Sequence, residues 1–216
     1  MNQAQPQGYL ALPAGGTGPH VLVLHAWWGQ NETIRSLCRR LAAEGFVAFA
    51  PDLYHGQVAD TIPGAEALSS QLEYQQARAE CATAAAFLAQ HGNASGRGLA
   101  VIGFSLGAYY AYELAAETPD QIDAVVLFYG AGDSDVSKSR AAYLGHFADN
   151  DAYEPQEYID GMKVALEAVD RPVTFHTYPN TGHWFFEPDR EDAYNEAAAE
   201  LAWQRTVAFL KRAGIT

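Results

Sequence analysis

The chain has 216 residues, 49% hydrophobic and 18% charged, a composition that describes a globular protein with a sizeable core and excludes a disordered one. Asp and Glu outnumber Lys and Arg by 26 to 13, for a formal charge of −13. That charge repels polyphosphate and anionic lipid, and no basic patch offsets it, so neither nucleic acid nor a membrane surface is expected as a partner.

The opening MNQAQPQGYLALPAGG lacks the basic and apolar regions of a signal peptide, and no apolar run reaches the roughly 20 residues that span a bilayer, so the expected compartment is the cytoplasm. HVLVLHA (20–26) reads as a strand, followed by the helix ETIRSLCRRLAAEG, which closes at Gly45. FVAFAPDLY (46–54) is the next strand, stopped by Pro51. Residues 63–91 are Ala- and Gln-rich and mostly helical, ending in the loop HGNASGRG. The part from 63 to 76 is read either as a cover over the site or as a helix packed on the sheet.

Beyond that loop lie the strand LAVIGF, the helix LGAYYAYELAAE, and the strands AVVLFYGAG and AAYLGHFAD. PQEYIDGMKVALEAVD is a helix that can begin at Pro155, RPVTFHTYP is a last strand, and a long helix covers roughly residues 193–213. Strands that are apolar throughout belong in a sheet covered on both faces, and helices between them make it mostly parallel. The expected fold class is α/β. No repeat, linker or composition break divides residues 1–216, so one domain is expected. Cys38 and Cys81 fall in helical segments and read as buried, reduced thiols. No metal-ligand spacing is present, and no cofactor or metal is expected.

Gly103-Phe104-Ser105-Leu106-Gly107 matches G-x-S-x-G between a strand and a helix. In such a turn the residues two before and two after the serine crowd together, and only small side chains fit. The turn lifts the Ser105 hydroxyl above the sheet edge at the positive end of the following helix. Serine is a weak nucleophile at neutral pH and needs a base, and the base needs a group that fixes its tautomer. In this architecture the order is Ser, acid, His. His183 in YPNTGHWFF follows a late strand and fits the base. His176 lies inside that strand, and His20, His55, His91 and His146 lack the order and the loop. For the acid, ADNDAYEP offers Asp149 and Asp151, with Asp151 preferred for its place in the turn before Pro155.

An acyl-transfer site also needs two backbone N–H groups aimed at the developing oxyanion. Leu106, directly after the serine, supplies one. The early loop HAWWGQN supplies the other, with Trp27 preferred, and His25 in that loop reads as a buried anchor rather than a proton carrier. Trp28, Tyr54, Tyr109, Tyr129 and Trp184, with Phe104 and Phe185, lie in or beside these loops as candidate pocket walls. Such walls favour a neutral, apolar acyl or aryl group.

With these residues in view the chain resembles the dienelactone hydrolase family of α/β-hydrolases over nearly its whole length, through VLVLHAWWGQN, FVAFAPDLYHG, GFSLG, ADNDAYEP and TGHWF. The resemblance implies an α/β-hydrolase sheet of about eight strands, a Ser105–Asp151–His183 triad, and Trp27 and Leu106 as oxyanion donors. It also implies a small ester or lactone substrate. The chain departs from the family at three positions. Ser105 stands where the best-known members carry cysteine, and Ala26 replaces a glutamate tied to activating that thiol. Glu187 replaces an arginine that helps hold a substrate carboxylate; a glutamate repels that group, so dienelactone itself is not the expected substrate. An acyltransferase or thioesterase-like enzyme, or a non-catalytic binding protein on the same fold, are the alternatives. The oligomeric state is left open.

Overall fold

A computed structural model describes residues 5–90 and 98–213. The loop expected around HGNASGRG, with His91, lies almost wholly outside the described residues. Seven strands form one sheet: β1 (Gly8–Ala11), β2 (His20–Leu24), β3 (Val47–Pro51), β4 (Leu99–Phe104), β5 (Ile122–Phe128), β6 (Ala142–Ala148) and β7 (Val173–Tyr178). Their spatial order is β1-β3-β2-β4-β5-β6-β7. Strands β2 to β7 are parallel, and β1 alone runs antiparallel, on β3. The sheet therefore has seven described strands rather than about eight. After β1 the chain turns once, through the Gly16 N–H on the Pro13 carbonyl, and enters β2, so a single antiparallel strand joins the six parallel ones.

The helices are α1 (Glu32–Ala43), α2 (Ile62–Gln71), α3 (Tyr74–Gln90), α4 (Leu106–Glu117), α5 (Gln156–Ala168) and α6 (Glu196–Arg212). Strand residues alternate between the two faces. Val21, Val23, Ala48 and Ala50 join the buried faces of α1 and α6 in one cluster. Leu22, Leu24, Val47 and Phe49 join α3, α4 and α5 in the other. Covering both faces explains why β2, β3 and β4 are buried at every residue. Cys38 and Cys81 are free and buried, one in each cluster, and loss of water pushes both thiols up to about 12. Among the described residues no helix is long and apolar enough to cross a membrane.

Strand β5 ends at Phe128, short of the expected YGAG extension, because Tyr129 adopts φ +37° and turns the chain out of the sheet. Helix α5 starts at Gln156 with Pro155 as its capping residue. The parallel strands all point their C-terminal ends the same way. The loops after β2, β4, β6 and β7 therefore gather at one edge of the sheet, the edge where open α/β sheets hold ligands. Helix α2 reaches this edge too, since the Ala59 N–H leading into it donates to the Trp28 carbonyl.

Candidate active site

Ser105 sits between β4 and α4 at φ 49°, ψ −114°, a conformation that costs a non-glycine residue about 1–3 kcal/mol. The neighbouring glycines show why the chain holds it. A Cβ on Gly103 would lie 2.3 Å from the Gly107 carbonyl oxygen, and one on Gly107 would lie 2.3 Å from that of Leu24. Backbone thus packs on backbone on both sides of the turn, and the Ser105 N–H is tied to the Phe128 carbonyl at 2.9 Å.

The Ser105 hydroxyl lies 2.8 Å from His183 Nε2. On the other side of the ring, His183 Nδ1 lies 2.8 Å from both Asp151 carboxylate oxygens. An ionised carboxylate only accepts, so Nδ1 carries the proton and Nε2 offers its lone pair to the serine O–H. Asp151 is oriented in turn by the Tyr153 and Glu154 N–H groups, each 2.9 Å from Oδ1. Both the His183 and Asp151 side chains are buried. Asp149, the other candidate acid, bonds to backbone rather than to the His183 ring. It accepts from the Asn180 and Thr181 N–H groups at 2.9 and 3.0 Å, and those bonds hold its carboxyl below the usual carboxylate range. Its contact is with the loop that carries the histidine.

The early loop abuts the elbow, since a Cβ on Gly107 would also meet the His25 carbonyl oxygen at 2.6 Å. Among the described residues neither the Trp27 nor the Leu106 N–H donates to another protein group. The Trp27 ring stacks on Trp184 at 5.7 Å, and Trp184 lies edge-on to His183 at 4.9 Å. Tyr153 closes this group, 5.2 Å from the His183 ring, 4.7 Å from Trp184 and 5.7 Å from Trp27. Half-exposed Tyr153 is absent from the sequence-based set, although an aromatic residue two positions after the acid was its available signal.

The remaining wall candidates divide between this group and the surrounding core. Trp28 belongs to the group, buried edge-on to Trp184 at 5.0 Å and to Trp27 at 5.5 Å, with the Arg190 guanidinium 4.1 Å from its ring. Tyr54 is buried edge-on to His25 at 5.1 Å. Tyr109 lines a separate cavity of about 520 Å³ between α4 and α5, with Ala131, Glu154 and Met162. Burial raises the Glu154 carboxyl there to about 7. Phe104 stacks on Phe128 at 4.6 Å, and Phe185 is fully buried. Tyr129 is fully buried and donates its O–H to Glu187 at 2.7 Å, with its ring 5.0 Å from that of His183. Glu187 is itself buried, and loss of water pushes its carboxyl up to about 8. Among the described residues no group of three or more His, Cys, Asp or Glu side chains is placed to hold a metal ion.

Residues 7–214 match the model of the dienelactone hydrolase family. The chain belongs to that family. Its members hydrolyse carboxylic esters, lactones included, and this chain is a carboxylic ester hydrolase of that kind. It is 35% identical to “Protein usf” of Aquifex pyrophilus, over 97% of this chain and 94% of that one. It is 32% identical to the Escherichia coli K12 protein named “Putative carboxymethylenebutenolidase”, over 95% of this chain and 82% of that one. Among solved structures, a “Putative Dienelactone Hydrolase” from Klebsiella pneumoniae superposes with a TM-score of 0.81 at 32% identity, covering 93% of this chain and 90% of the other. Within this dienelactone hydrolase fold, Glu187 accepts from Tyr129, and the early loop carries Ala26 rather than a carboxylate.

Proposed function

We propose that the chain is a serine esterase that cleaves small, neutral carboxylic esters or lactones through an acyl-enzyme. The observation that carries the reading is the continuous hydrogen-bond chain Ser105–His183–Asp151, with 2.8 Å at each link, mounted on a strained strand-to-helix turn. Ser105 Oγ adds to the substrate carbonyl as its proton passes to His183 Nε2, and the carbonyl oxygen becomes an oxyanion. Asp151 holds the resulting imidazolium. Leu106 and Trp27 N–H groups receive the oxyanion. Collapse of the tetrahedral adduct expels the alkoxide, which takes the proton from His183. Water, deprotonated by His183, then repeats the sequence on the acyl-enzyme and frees the acid and Ser105.

The wall of Trp27, Trp184 and Tyr153 beside His183 supports a neutral acyl or aryl group. Intact-protein mass spectrometry after treatment with a fluorophosphonate tests the reading. A single adduct on Ser105 is expected, absent in Ser105→Ala, together with loss of p-nitrophenyl acetate turnover in that variant and an unchanged melting temperature. Full esterase activity in Ser105→Ala overturns it.

A further inference from the structure

We infer that His25 is a positioning residue for the oxyanion donor, holding the peptide unit between Ala26 and Trp27 so that the Trp27 N–H faces the carbonyl attacked by Ser105. The inference rests on the serine esterase reading and adds a residue to it. His25 follows β2 directly and is completely buried. Its Nε2 lies 3.3 Å from the Leu53 N–H, and its Nδ1 lies 2.6 Å from the Ala26 carbonyl oxygen.

These two partners dictate the tautomer. A backbone N–H only donates, so Nε2 must be the unprotonated, accepting nitrogen. A carbonyl oxygen only accepts, so Nδ1 carries the proton and donates it to Ala26. Burial pushes the imidazole below its ordinary value, which keeps the ring in this neutral form.

The carbonyl so held belongs to the same peptide unit as the Trp27 N–H. Every peptide bond described is trans, and in a trans unit the C=O and N–H point in opposite directions. Fixing the oxygen therefore fixes the N–H. The Ala26 oxygen receives a second donor, the Gly29 N–H at 3.1 Å, so two bonds from two directions resist rotation of that unit. The opposite side of the unit is left for the Trp27 N–H, which has no protein acceptor among the described residues. The loop lies where this matters. Its first residues press on Gly107 of the elbow, and the Trp27 ring stacks on Trp184 beside His183.

His25 also links two loops. Leu53 belongs to the turn after β3, whose Tyr54 and Gly56 N–H groups are gathered by Asp52 at 3.2 and 2.6 Å. The ring thus braces the donor loop against a turn that is already ordered. The test uses two substitutions that separate its bonds. His25→Leu fills the space and removes both. His25→Asn places an amide nitrogen near the Nδ1 position, restoring the bond to Ala26 without the one to Leu53.

Kinetics on p-nitrophenyl acetate are normalised to serine titrated by a fluorophosphonate. Inhibition is measured with a trifluoromethyl ketone, whose adduct with Ser105 carries the oxyanion without turnover. Losing an oxyanion donor outright costs about 10²–10³ in kcat, so His25→Leu, which misaims one, is expected to lose about 30- to 100-fold in kcat with KM within twofold. The ketone's inhibition constant should rise by the same factor. His25→Asn should recover to within about fivefold of the unsubstituted enzyme. A role in folding alone would lower the melting temperature and the titrated fraction and leave kcat per titrated serine and the ketone constant unmoved; that result overturns the inference, as does an Asn variant no better than Leu. If the unsubstituted protein neither labels nor turns over, the esterase reading falls and takes the inference with it.

Discussion

Two buried carboxylates, Asp151 and Glu187, differ in what surrounds them. Asp151 meets three donors: the His183 ring and two backbone N–H groups of its own turn. Glu187 meets one recorded donor, the Tyr129 phenol, inside a fully buried pocket. The donors around Asp151 suit the part the proposed mechanism gives it, whereas loss of water pushes the Glu187 carboxyl up to about 8 against the opposing pull of the Tyr129 hydrogen bond and of Arg190. The position where the resemblance implies a cation is therefore filled here by a carboxyl whose charged form is opposed by burial.

The contrast breaks most sharply at Asp151. Asp151→Asn offers His183 an amide N–H where it needs an acceptor, turning the ring to the wrong tautomer, and kcat should fall about 10³- to 10⁴-fold with little change in KM. Steady-state kinetics check this, and a loss under tenfold would remove Asp151 from the triad.

At Glu187 the expected effect is on stability and its dependence on pH. Its carboxyl titrates near the ordinary glutamate value of 4.5 in the unfolded chain and at about 8 in the folded one, so between those values the folded state binds more protons. Stability from this group is complete below about 4.5 and is lost as pH rises through 8, at no more than about 1.4 kcal/mol per pH unit. Glu187→Gln abolishes that slope. Urea unfolding from pH 5 to 9 should show the unsubstituted protein losing stability relative to the variant as pH rises, and parallel curves would contradict the burial argument.

The smallest effect is expected at Tyr129. Tyr129→Phe leaves the Glu187 oxygen without its donor at about 1–2 kcal/mol of stability, with kcat changed less than threefold. Thermal unfolding and kinetics read the two separately.

The pattern of legibility follows from what each contact needs. The elbow was readable because the crowding at Gly103 is local, from Gly107 and Ala108, although Gly107 itself is required by Leu24 and His25 on another strand and its loop. The parallel strands were readable because burial on both faces leaves unbroken apolar runs. Strand β1 was not, since GYLA is short and only its last residue is fully buried, and it becomes a strand by pairing with β3. The bond between Tyr129 and Glu187 spans 58 residues, and nothing local to either announces it. The choice of Asp151 over Asp149 at the histidine turns on which way a loop faces, which spacing narrows without deciding. His25 showed its burial in the sequence, yet the peptide it holds is visible only in three dimensions.

The strain at Ser105 has an evolutionary consequence. It lives in the backbone, where Gly103 and Gly107 let the turn pack against its own carbonyls and that of the neighbouring strand. The apex is thus an exchangeable socket: replacing the serine oxygen by sulfur alters reactivity and leaves the frame intact. The residue that would tune a thiol stands on another loop, at Ala26. Nucleophile and tuning position thus sit on separate loops, outside the glycine contacts that hold the turn.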